Sequence, residues 1–123
     1  MQKIRTRICL ALLLLLIASA AMGEVLILPN PFDPAMGPAR IAYTLNADSD
    51  VVLYIFDTSG RVILKKTYSS AAAGGSAGYN EVAWNGKDQF NNDLSNDVYL
   101  IRIIGPGFGG TPGKGKFMLI RSR

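Results

Sequence analysis

Histidine is absent from this 123-residue chain, and cysteine occurs once, as Cys9. Without histidine the commonest general base and the usual nucleophile–base pairs are missing; without further cysteine the common zinc ligand sets are missing too. Cys9 stands inside the N-terminal apolar run, before that run ends. This is a poor position for a lipid-modified cysteine at a cleavage site, and Cys9 reads as an ordinary apolar filler. Beyond it there is no thiol, so a domain there has no disulfide and depends on its core alone. The apolar run Ile8–Ile17 is shorter than the roughly 20 residues a membrane-spanning helix requires. No amphipathic helical period follows it.

The N-terminus has the order of a secretory signal: Lys3, Arg5 and Arg7, then the apolar run, then small residues Ala18-Ser19-Ala20-Ala21. A retained membrane anchor is the alternative. Cleavage after Ala20 or after Gly23 fits, with Gly23 preferred because Ala21-Met22-Gly23 is a small-x-small triplet and Glu24-Val25 opens a strand. The expected organisation is a signal peptide at 1–23 and one domain at 24–123. Loss of Lys3, Arg5 and Arg7 lowers the formal charge from +4 to about +1. A basic surface for nucleic acid is therefore not implied.

The segment Leu28-Pro29-Asn30-Pro31-Phe32-Asp33-Pro34 cannot lie inside a helix or a central strand, because each proline fixes φ and removes a donor. It predicts a rigid, extended entry into a β-domain. Seven short strands are expected, at 25–28, 41–45, 51–56, 61–67, 79–84, 98–104 and 114–121, each with period-two alternation or β-branched and aromatic enrichment. Asp57-Thr58-Ser59-Gly60 and Asn85-Gly86 predict tight turns, with Gly60 left-handed. Ser69–Gly78 and Gly105–Gly113 read as long, flexible surface loops. In the return strand Val62 and Leu64 share a face. The pattern predicts an all-β, seven-stranded antiparallel sandwich, with a small barrel as the competing solution. Trp84, Val82, Leu53, Ile55, Tyr43 and Ile101 are expected in one core.

Read in order, Pro29-Asn30-Pro31-Phe32, Ile41-x-Tyr43-Thr44-Leu45, Val51-x-Leu53-x-Ile55-Phe56-Asp57-x-x-Gly60-Arg61, Val82-x-Trp84-x-Gly86-x-Asp88, Val98-Tyr99-Leu100-x-Arg102-Ile103 and Lys116-x-Met118-x-Ile120 form a pattern. It resembles the immunoglobulin-like domain of the flagellar hook-capping protein (FlgD) and the C-terminal sorting domains of type IX secretion cargo. The resemblance covers residues 24–123. It implies an immunoglobulin/fibronectin-III-like sandwich used in assembly, anchoring or sorting, without catalysis. Two departures stand out. Relatives usually carry glycine before the Val-Tyr strand, where this chain has Asn96-Asp97. The signal also runs straight into the domain with no passenger between, which favours a free-standing module over a cargo tag.

Other chemistries are weaker. Gly105-Pro106-Gly107-Phe108-Gly109-Gly110 lacks the Lys-Ser/Thr ending of a phosphate loop. Glu81 and Asp88 are an acid/base pair only if a cleft joins them. Asp88, Asn91, Asn92, Asp93 and Asp97 supply oxygens of the kind calcium takes, but not at EF-hand spacing, and turn chemistry explains them as well. No cofactor is implied. Tyr54 and Phe56, opposite Val51, Leu53 and Ile55, are the expected exposed aromatic patch. The last strand, with Lys114, Lys116, Phe117, Met118, Ile120 and Arg121, is the expected partner-binding edge, for a protein partner or self-association. The reading is an exported, non-catalytic module acting by protein contact at the envelope or outside the cell. A sorting-type domain without passenger and a carbohydrate-binding module are the alternatives.

Overall fold

The computed structural model describes residues 23–122; the proposed signal lies almost wholly outside them. Alternating residues drive most of the seven strands, and the observed bounds lie close to those expected. The strands are β1 (Leu26–Leu28), β2 (Ala39–Leu45), β3 (Val51–Phe56), β4 (Val62–Tyr68), β5 (Gly78–Trp84), β6 (Asp97–Ile104) and β7 (Gly113–Leu119). Among the described residues two single 3-10 turns, Pro34–Met36 and Pro106–Phe108, interrupt the strands and loops.

The strands form two antiparallel sheets, ordered β1-β2-β5 and β4-β3-β6-β7. This three-and-four arrangement is the immunoglobulin/fibronectin-III-like sandwich, and the barrel alternative falls away. One face of each sheet points inward. Val51, Leu53 and Ile55 of β3, and Tyr99, Ile101 and Ile103 of β6, are all buried. Val82, Trp84 and Tyr43 join them from the other sheet in one cluster. Each large side chain removed from water contributes about 1.5–3 kcal/mol before entropy is counted.

Three expectations need correction. First, β4 does not alternate simply. Ile55 pairs with Leu64 but Phe56 with Val62, so Ile63 is an extra residue in a bulge. Ile63 and Leu64 are buried and Val62 is exposed, because the bulge rotates the strand by one position. Second, neither long loop hangs free. Ser49 N–H donates to Gly75 O at 3.0 Å, Tyr43 Oη donates to Gly74 O at 2.6 Å, and Ala77 N–H donates to Asp48 Oδ1 at 2.7 Å. A Cβ on Gly75 would stand 2.2 Å from Ser69 O, so only glycine admits this approach. In the second loop Phe108 is buried against Tyr43, with ring centroids 6.1 Å apart. Third, the edge of β7 is not open.

That third point follows from the proline segment. Residues 23–32 run between the sheets' shared edges. Lys114 N–H donates to Gly23 O and Val25 N–H to Lys114 O at one end; at the other, Phe32 N–H donates to Met118 O and Ile120 N–H to Phe32 O. Between these, β1 pairs with β2. Asn30 Oδ1 accepts from Met118 N–H at 3.1 Å. Phe32, fully buried, anchors the segment against Trp84. The N-terminal segment thus covers much of the edge of the last strand.

Candidate functional site

The features proposed from the sequence within residues 23–122 now have positions. Asp57 Oδ1 accepts from Ser59 N–H, Ser59 Oγ–H and Arg61 N–H at 2.6–3.0 Å, and Gly60 is left-handed at φ 89°, as the turn requires. The Ser59 hydroxyl, then the Arg61 amide, hold the Asp57 carboxyl below the usual carboxylate range. Asp33 is lowered in the same way, first by Ser122 and then by the Ala35 amide. Burial pushes the Tyr43 and Tyr68 hydroxyls up; a hydrogen bond to Glu81 does so for Tyr79. Asn96 and Asp97, in place of glycine, keep ordinary negative φ, and their side chains accept from Arg121 N–H and Val98 N–H.

The carboxylates mostly serve the fold. Glu81 meets Arg40 at 3.2 Å and the Tyr79 hydroxyl at 2.7 Å. Asp88 Oδ1 accepts from Phe90 N–H and Asn92 N–H, which shapes a turn in which Asn91 is left-handed. Asp93 lies 3.2 Å from Lys87 and 3.8 Å from Arg121. A shallow cleft of about 270 Å³ collects Asp57, Asp88, Asp93, Asp97, Arg61 and Tyr99. Among the described residues no three acidic side chains converge as metal ligands would. The calcium reading therefore gains nothing from the geometry, and turn chemistry accounts for the loop.

Of the residues assigned to the last-strand edge, the side chains separate by alternation. Phe117 is buried, stacked on Tyr99 at 5.6 Å and edge-on to Trp84 at 5.4 Å. Arg121 is half-buried, with Nη2 3.3 Å from Leu94 O. Lys114, Lys116, Met118 and Ile120 are exposed. Because their backbone edge is largely occupied by residues 23–32, what they offer is side chains on a sheet face. Phe117 is excluded from that face.

The outer face of β4-β3-β6-β7 is the most distinctive surface. Tyr54 and Phe56 stand on it, half-buried rather than exposed as expected, because they stack on each other at 5.7 Å with 21° between their planes. Register places Leu100 beside Phe56 and Lys116 beside Leu100, Arg102 beside Tyr54 and Lys114 beside Arg102, and Met118 beside Val98. Leu100, Met118 and Ile104 are 38, 42 and 50 % exposed, so the apolar strip continues across β6 and β7. Sequence reasoning found Tyr54, Phe56 and Met118 but missed Leu100 and Arg102. Alternation alone marks them as outward; only strand order brings them beside the aromatic pair.

Comparison with protein-family models and with curated protein sequences gives no match. Solved structures do match. PorZ of Porphyromonas gingivalis, an essential surface component of its type IX secretion system, aligns at 23 % identity and TM-score 0.55, over 83 % of this chain and 12 % of PorZ. Dimeric latent PorU of the same organism aligns at 21 % identity and TM-score 0.63, over 80 % of this chain and 9 % of PorU. FlgD of P. aeruginosa aligns at 20 % identity and TM-score 0.51, over 80 % of this chain and 75 % of that one. The chain thus spans about a tenth of the length of each of the first two. It has the immunoglobulin-like sandwich fold found in PorZ, PorU and FlgD, in agreement with the resemblance its motifs carry.

Proposed function

We propose that this chain is an exported, non-catalytic immunoglobulin-like module that acts by protein contact, within an assembly or attachment at the envelope or outside the cell. The observation that supports this most is the outer sheet face, where a strip of apolar side chains lies open on a domain whose carboxylates are largely engaged in turns and ion pairs. Contiguous exposed apolar surface of this kind is characteristic of contact sites. The fold likeness to a secretion-system surface component and to FlgD is consistent with such a role. A type IX sorting-type domain is the second reading, favoured by the alignment of this chain with a domain-sized part of PorZ and of PorU. Sugar binding is less favoured, since Trp84 is buried and Tyr54 and Phe56 stack on each other.

On this reading the N-terminal residues are removed during export. Cleavage after Ala20 keeps Gly23, whose carbonyl accepts from Lys114 N–H; cleavage after Gly23 loses that bond. Two measurements test the reading. Intact mass of the recovered protein locates the cleavage, and a mass that includes Met1 means a retained anchor. Serine at Leu100 and at Met118, with native circular dichroism, is expected to abolish association in chemically cross-linked cells; unchanged association removes the face from the function.

A further inference from the structure

The outer face of the four-stranded sheet is cationic as well as apolar. Lys65, Arg102, Lys114 and Lys116 occupy outward positions on it, by their register with Tyr54 and Leu100. Within the four strands no acidic residue does; Glu24, bridged to Lys114, stands at the β7 edge of the face. Elsewhere among the described residues Arg40, Arg61, Lys87 and Arg121 each meet a carboxylate at 3.2–3.8 Å, and Lys66 alone does not. The four on the face meet none among the described residues. Arg102 and Lys114 are directly opposed across β6 and β7, an arrangement of like charges that destabilises a sheet. Lys116 stands two residues along the same face, about 7 Å away at strand spacing.

We infer that this face docks an acidic protein surface, one that sets carboxylates against Arg102, Lys114 and Lys116 and apolar side chains against Phe56, Leu100 and Met118. The inference rests on the contact-module reading above and names the chemistry of the partner. Charge complementarity carries it: an unmatched cation cluster interleaved with apolar side chains is relieved by a partner of opposite sign and similar patterning. A second copy docked face to face would oppose the cluster with itself. A lipid surface fits poorly, because the cations lie within the apolar strip and would enter the hydrocarbon with it. A polysaccharide needs open ring faces, whereas Tyr54 has Phe56 on one side and Lys65 Nζ 5.8 Å from its ring centre.

The test uses the full chain, expressed with its N-terminal segment, and its Arg102→Glu/Lys116→Glu variant. Both are titrated with a soluble peptide alternating glutamate and valine and with its glutamine counterpart. Vesicles containing phosphatidylglycerol, and alginate, are run in parallel. The glutamate peptide is expected to bind, more weakly as salt rises, and at least about tenfold more weakly to the variant. The glutamine peptide is expected to bind at least about tenfold more weakly than the glutamate peptide. A variant that binds as well as the native protein overturns the inference, as does preference for vesicles or alginate, or self-association through the face. The Lys114→Glu variant repeats the measurement if the double variant loses its native circular dichroism. Failure here is distinguishable from failure of the contact reading: if the serine variants lose association in cells and the glutamate variant keeps it, the module stands and the acidic partner falls.

Discussion

Trp84 shows what a single residue decides in this sandwich. Its ring packs between Phe32 at 5.6 Å and Phe117 at 5.4 Å, and its Nε1–H donates to Lys87 O at 3.0 Å. Trp84→Ala is expected to cost about 3–5 kcal/mol in a denaturant titration, because the site is boxed in by rings and cannot collapse. Tyr43→Phe tests a polar contact at the same scale. Removing the hydroxyl leaves Gly74 O without the bond it accepts at 2.6 Å, with an expected loss of about 1–3 kcal/mol. The carboxylates set a pH dependence. Asp33 and Asp57 are both held below the ordinary carboxylate range when folded. Their stabilisation is therefore complete above the unfolded value, about 4, and is lost as pH falls through the lower folded value. A thermal melt series from pH 6 to pH 2 should show the melting temperature falling only at the acid end, and Asp57→Asn should flatten part of that fall.

At the scale of elements, the N-terminal segment and β7 form one device. A Cβ on Gly115 would lie 2.3 Å from Val25 O, so this glycine is what lets the segment cross so close. Gly115→Val is expected to push residues 23–25 off β7 while leaving β6 pairing intact. Amide hydrogen exchange should then rise at Val25 and Lys114, whose bonds cross that junction, and stay slow at Ile101 and Ile103. With its edge uncovered, β7 becomes a strand that other chains can pair with, so the variant should also form oligomers by light scattering. Strand positions were legible in the sequence because period-two alternation, Asn85-Gly86 and Asp57–Gly60 are local signals. The bulge at Ile63 was not: the run Val62-Ile63-Leu64 is apolar throughout, and only pairing with β3 says which residue is extra. The covering of β7 was equally hidden, since it joins residues some ninety positions apart.

On the scale of the whole molecule, charge is sorted by surface. The two signs nearly cancel across residues 24–123, yet the outward positions of β4-β3-β6-β7 carry cations, with Glu24 the one acid bridged to their edge, and the acidic cleft of Asp57, Asp88, Asp93 and Asp97 lies elsewhere. Net charge hid this pattern. Alternation in each strand fixed which residues point outward, so Tyr54, Phe56, Lys116 and Met118 were legible one strand at a time. Their assembly into one patch with Leu100 and Arg102 depended on β6 lying between β3 and β7. The expectation of a contact site at the last strand accordingly moves from its backbone edge to its outer face.

What the sequence determined by itself was local: seven strands, their turns, the inward set headed by Trp84, and the lack of groups for common catalytic chemistry. These depend on residue type and on spacings of two to five positions, where sterics and burial act within a few bonds. The tertiary structure decided how the sheets are ordered, which edge is closed and which face is open. Those depend on backbone hydrogen bonds and packing between segments far apart in the chain, so nearby residues carry little trace of them.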